Sequence, residues 1–116
     1  MVPIIVGAAL FQAAYANATQ FDNDARLKEW RHVLFYPAFS SQVQPGLRRC
    51  FSDADAKSGK TYRLVLKFDA SGRPTQVVID SDDPALKCFA KAVSAANFPV
   101  APVPNFAEHF DLTVGS

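Results

Sequence analysis

Charge of one sign, glycine and cysteine are all scarce in this chain, and each scarcity closes a class of function. Twelve Lys and Arg stand against eleven Asp and Glu in 116 residues, a formal net charge of +1. The basic footprint that grips nucleic acid or an anionic membrane is missing, so neither is expected as a partner. The five glycines include no glycine-rich phosphate loop, and neither G-x-S-x-G nor H-E-x-x-H occurs. His32 and His109 are far apart in sequence and read as structural or surface groups. No catalytic residue and no cofactor are expected. Asp80, Asp82 and Asp83 form an acidic run that reads as capping of the helix after it, not as a cation site, so no metal is expected either. Two cysteines cannot build a disulfide-dense scaffold or a four-ligand zinc site, but they suffice for one bridge.

What is present is one domain's worth of chain, 49% hydrophobic. Residues 2–11 are an uncharged apolar run, followed by Ala14-Tyr15-Ala16. That is the layout of a secretory signal peptide with an A-x-A cleavage site, and the run is too short to span a bilayer. Residues 1–16 are therefore expected to be removed and residues 17–116 to form a single exported domain, with a core helix from Ile4 to Ala16 as the alternative. No side-chain charge precedes Asp22, so the basic start of a signal peptide is missing. Export places the cysteines where disulfides persist, and a Cys50 to Cys88 bridge is expected. It would hold the two segments together with a contribution of roughly 4 kcal/mol in the loop-constraint picture. Arg48 and Arg49 beside Cys50 could instead activate a free thiol, and two buried free thiols are the other alternative.

Asp22, Asn23 and Asp24 supply a helix start, and Leu27, Trp30 and Leu34 recur at helical spacing until Pro37, which is expected to end the helix near Phe35. Residues 38–51 read as irregular, with a turn at Pro45-Gly46, and the polar stretch from Ser52 to Lys60 reads as a loop. The clearest strand runs from Thr61 to Phe68, where Tyr62, Leu64, Leu66 and Phe68 alternate with wetter positions. Gly72 suits a short hairpin loop, and Thr75 to Asp80 is the partner strand, with Val77 and Ile79 inward. Pro74 places that strand at an edge. Asp83-Pro84 opens a helix with Leu86, Phe89, Ala90 and Val93 on one side and the small residues Cys88, Ala92 and Ala95 on the other. Phe98-Pro99 stops it. A last strand runs from Phe106 to Val114, with Glu108 as a jarring inward member. The sum is an α+β domain of order α-β-β-α-β, a small three-stranded antiparallel sheet packed by flanking helices.

In their order and spacing these pieces resemble the C-terminal domains of the TolA and TonB energy-transducing periplasmic proteins. They are Gly59-Lys60-Thr61 before the first strand, Asp69 to Gly72 at the hairpin, Asp83-Pro84-Ala85-Leu86 with Cys88, and Phe98-Pro99 through Pro102. The resemblance is nearest the TolA end of the group and covers about Ala25 to Val114. It implies a sheet flanked by helices, no catalytic residues, and work done by contacting envelope proteins. Members that transduce energy carry a membrane anchor and a long spacer; the few residues between Ala16 and the domain are too short for that reach, so a transducer is not expected. TolA-type domains can pair the helix cysteine with one in the first strand, where this chain has Tyr62.

The expected function is thus a non-catalytic, exported protein-binding module of the bacterial envelope, in the periplasm or secreted, with no stable membrane span. If the last strand lies at a sheet edge, a partner strand could add to it. The residues expected to mark that surface are Phe106, His109 and Asp111, with Arg63 and Lys67 on the wetter face. The alternative function is an inhibitor or immunity protein that blocks an envelope-acting enzyme with the loop from Ser52 to Lys60.

Overall fold

The hairpin forms where the alternation places it, with β2 at Thr61–Phe68 and β3 at Pro74–Ile79. The computed structural model describes residues 2–57 and 59–113; Val114, expected to end the last strand, lies outside them. In the hairpin loop the Asp69 carboxylate accepts from the Ser71 hydroxyl at 2.6 Å and from the amides of Ser71 at 2.8 Å and Arg73 at 3.1 Å. These bonds hold its pKa below the ordinary value. Gly72 takes φ +87° there, and a Cβ would collide with the Phe98 carbonyl. No other residue type fits.

Among the described residues the sheet has four strands, β1 (Ile4–Val6), β3, β2 and β4 (Ala107–Thr113) in that spatial order, and is mixed, in place of the expected three antiparallel strands. The added strand is β1 (Ile4–Val6), which runs parallel to β3 with Ile4 opposite Val77, Ile5 opposite Val78 and Val6 opposite Ile79. β3 is therefore internal, contrary to the inference from Pro74. The proline is tolerated because β1 pairs no earlier than Val77, so Pro74 faces no neighbour on that side. After Gly7 the chain enters α1 (Ala8–Thr19), which lays Phe11, Ala14 and Ala18 on Val65, Val78 and Ala107. The segment expected to be removed is thus folded against the sheet, and the expected cleavage point after Ala16 falls inside α1.

The other face carries the main core. α2 (Ala25–Trp30) starts at Asp24, whose carboxylate accepts from the Arg26 amide at 2.9 Å. Pro37 does not end the helix. Residues 31–35 form a π-helical turn, and α3 continues over Tyr36–Cys50 with Pro37 in its first turn. A proline is least costly there, and the wider π turn absorbs the shift in hydrogen bonding that its ring imposes. Pro45-Gly46 likewise stays helical instead of turning. Pro45 is exposed, while Gly46 is buried where a Cβ would come within 2.7 Å of Ala92 Cβ. A stretch expected to be irregular is therefore a helix whose glycine serves close packing.

That packing is against α5 (Pro84–Ser94), capped by Asp83 as expected. Gly46 meets Ala92, and one turn on Cys50 is bonded to Cys88 with Cα atoms 5.5 Å apart. The Asn97 amide extends the seam by donating to Gln42 Oε1 at 2.9 Å. The small-residue side of α5 is thus the side α3 lies on, and Leu86, Phe89, Ala90 and Val93 go into the core. Phe35, fully buried, is ringed by Trp30, Phe39, Phe68, Phe98, Phe106 and Phe110. The expected loop after Phe51 contains a short helix, α4 (Asp53–Lys57). Ser52 and Asp55 cap it reciprocally, the Asp55 amide donating to Ser52 Oγ and the Ser52 amide to Asp55 Oδ2.

Two outcomes follow for the seam. Replacing both cysteines by serine lowers unfolding free energy by about 4 kcal/mol in urea titrations, with the native fold retained. Gly46→Val costs about 1–3 kcal/mol by the same measurement, because two helix backbones must separate to admit the side chain.

Candidate interaction surface

β4 (Ala107–Thr113) pairs with β2 alone, from Thr61 opposite Thr113 to Lys67 opposite Ala107. It is the sheet's end strand, as the edge-strand expectation requires. The Phe68 amide donates to the carbonyl of its partner Phe106 at 3.3 Å, which fixes the alternation. Phe106, Glu108, Phe110 and Leu112 bond into the sheet. Ala107, His109, Asp111 and Thr113 turn their amides and carbonyls outward. Among the described residues no strand takes up that outer row.

The edge is not open along its whole length. α1 lies on one face and α2 on the other, so residues 20–24 must round an edge between them. Two contacts place the crossing at the start of β4. His109 Nε2 lies 2.9 and 3.1 Å from the Asp22 carboxylate oxygens, with the Tyr15 ring 4.7 Å from the imidazole. Arg31, at 7% exposure, donates to both oxygens of Glu108, at 4%, over 2.8 and 3.2 Å. A third Arg31 nitrogen donates to the Phe21 carbonyl at 3.1 Å, and the guanidinium sits 5.6 Å from the centre of the Phe106 ring. Ala107 and Glu108 are buried under this crossing, whereas Asp111 and Thr113 are exposed. The accessible edge is residues 111–113.

The inward Glu108 is thereby explained: it answers Arg31. Burial pushes its carboxyl above the ordinary value, and the Arg31 hydrogen bonds pull against that rise. Burial, aided by the Glu108 charge, also raises the Tyr36 hydroxyl. Nothing in the spacing singled out Arg31, Asp22 or Tyr15; the only sequence signal was a carboxylate at a core position, which demands a cation of unspecified address.

Of the residues expected at the surface, Arg63 and Asp111 face each other across the strands at 3.6 Å, both exposed. Lys67 is half-buried opposite Ala107 on the same face, and His109 is tied to Asp22. Phe106 stands apart from them as a correction: at 3% exposure its ring belongs to the core, stacked on Phe68 and edge-on to Trp30, because even-numbered β4 side chains face the helices. Cys50 and Cys88 are in the helical layer and take no part in this surface.

Donor atoms of Asp22, Glu108 and His109 lie within 4.8 Å of one another. Arg31 takes both Glu108 oxygens and His109 Nε2 is on Asp22, while the buried His109 Nδ1 has no hydrogen-bond partner among the described residues. Elsewhere Asp83 accepts from the Ala85 amide and Lys60, and Asp82 pairs with Lys87. No family model, curated protein or solved structure matches the chain.

The Arg31 to Glu108 pair makes a sharp stability contrast. Arg31→Ala leaves a buried carboxylate uncompensated and costs about 3–5 kcal/mol in urea titration, while joint replacement of Arg31 by Met and Glu108 by Leu recovers most of that loss.

Proposed function

We propose that this chain is an exported, non-catalytic protein-binding module of the bacterial cell envelope, similar to the C-terminal domains of TolA and TonB. It works by taking an extended segment of a partner onto the outer edge of β4. The observation that carries this reading is the pair of outward backbone positions at Asp111 and Thr113, exposed and without a neighbouring strand among the described residues. Such a row is a template for strand addition. The Arg63 and Asp111 side chains beside it offer one charge of each sign to the incoming segment.

One further feature supports the setting. The Cys50 to Cys88 disulfide suits an oxidising compartment such as the periplasm. No helix among the described residues is long and apolar enough to cross a membrane. The chain also keeps, in order, the hairpin of β2 and β3, the Asp83-capped α5 and the last strand on which the resemblance rests.

Asp111→Pro tests the reading cleanly, because it removes an amide that bonds to nothing within the sheet and disturbs only an exposed ion pair, a contribution of about 1 kcal/mol or less. The variant is expected to melt near the wild-type temperature and to lose the envelope protein captured by the wild-type chain under oxidising conditions. Equal capture by a folded variant would reject edge-strand recognition.

A further inference from the structure

The crossing at the start of β4 gathers a mixed set of donors. Asp22, Glu108 and His109 place two carboxylates and an imidazole with donor atoms within 4.8 Å of one another. Asp22 comes from the connection between α1 and α2, the other two from β4. Glu108 and His109 are successive strand residues, whose side chains leave opposite faces of the sheet. Both reach Asp22 because β4 is an end strand, with no further strand alongside it among the described residues.

The spacing fits coordination. Nitrogen and oxygen ligands held at about 2.0–2.2 Å by one ion stand roughly 3–3.5 Å apart. His109 Nε2, at 2.9 and 3.1 Å from the two Asp22 oxygens, is already close to that spacing. Glu108 completes the set without leaving Arg31. Each of its oxygens accepts one bond from the guanidinium, at 2.8 and 3.2 Å, and a carboxylate oxygen has a second lone pair. Arg31 thereby orients Glu108 as an outer partner orients a metal ligand.

The imidazole points the same way. Its ring rests on Tyr15 and bonds through Nε2, while the buried Nδ1 has no partner among the described residues. With the proton on Nδ1, the Nε2 lone pair faces two carboxylate oxygens, an arrangement that calls for a cation between them. A proton is one such cation and a metal ion is another. The carboxylates of Asp22, Glu108 and Asp111 stand here against the guanidiniums of Arg31 and Arg63, so with a neutral imidazole one negative charge is left over. An open cleft of about 270 Å³, lined in part by Asp22, Tyr36, Glu108, His109 and Asp111, gives access and leaves room for water in the remaining coordination positions.

We propose that Asp22, Glu108 and His109 form a binding site for a divalent transition-metal ion of the Zn²⁺ type. The imidazole nitrogen selects against magnesium and calcium, which take oxygen ligands. A bound ion ties the connection between α1 and α2 to the start of β4. The site is independent of strand addition at residues 111–113, and either stands without the other.

The test is titration of the full, untagged chain with Zn²⁺ in competition with a chromophoric chelator. One ion per chain is expected, with a Kd of roughly 10 μM or tighter. His109→Gln, Asp22→Asn and the paired Arg31→Met with Glu108→Leu should each weaken uptake by about tenfold or more. His32→Gln, which removes the other histidine, should leave it unchanged. NMR of the wild-type chain gives a reading that depends on no variant: Zn²⁺ should shift the imidazole resonances of His109 and not those of His32. Absence of uptake by the wild-type chain would overturn the proposal. So would uptake that survives His109→Gln, Asp22→Asn or the paired replacement in a folded protein, or a shift at His32 in place of His109, both of which mark an adventitious ion only.

Discussion

β2 is buried on both faces, and the rest of the architecture answers to that. Leu64, Val65 and Leu66 are successive residues with no exposed surface, so their side chains point alternately to two sides that must both be kept from water. One cover is extensive, with α2, α3 and α5 enclosing a cluster that includes Leu64, Leu66, Val77, Ile79 and Phe35. The other is a single helix resting on three small or mid-sized side chains. The two covers are held by different means. The helical layer is locked by the Gly46 to Ala92 approach and the Cys50 to Cys88 bond one turn away, whereas α1 is held by modest apolar contact and a three-residue strand.

The passage from one cover to the other sets the character of β4. Residues 20–24 round the strand where Arg31, Glu108, Asp22 and His109 meet, and that junction joins the buried Arg31 to Glu108 pair to a half-buried His109 that rests on the exposed Asp22. A buried ion pair adds little net stability over apolar side chains of the same size, but an Arg that must find Glu108 and the Phe21 carbonyl together admits one path for the chain. The same junction closes the first half of the edge and leaves the second half exposed. A strand added at residues 111–113 would therefore stop at the crossing, which limits recognition to a short segment.

The sequence was most legible where a residue's local chemistry coincides with its role. The alternation of Tyr62, Leu64, Leu66 and Phe68, the Gly72 loop and the Asp83-Pro84 helix start all stand where local rules put them. It misled where tertiary context overrides a local signal. Pro37 reads as a stop, yet a π-helical turn carries the chain past it; Pro45-Gly46 reads as a turn, yet Gly46 is there to let α3 approach α5. β1 was invisible because three residues inside an apolar run show no period. Glu108 was legible as an anomaly but Arg31 was not legible as its partner, since a contact across 77 positions leaves no mark in spacing. Phe106 sits one residue before β4 on the same side of the alternation as the inward Glu108, so its place in the core was legible from the spacing even though it was set among the surface residues.

The two ends of the sheet are linked through the N-terminal segment even though they lie on opposite edges. β1 completes the edge of β3, and the same segment, through Tyr15 on the His109 ring and then Asp22 on its Nε2, reaches the crossing at β4. Loss of α1 from the outer face removes the Tyr15 contact and leaves the Asp22 to His109 pair more exposed, where water and salt weaken it. The Arg31 bonds to Glu108 and Phe21 do not involve α1 and remain to hold the crossing.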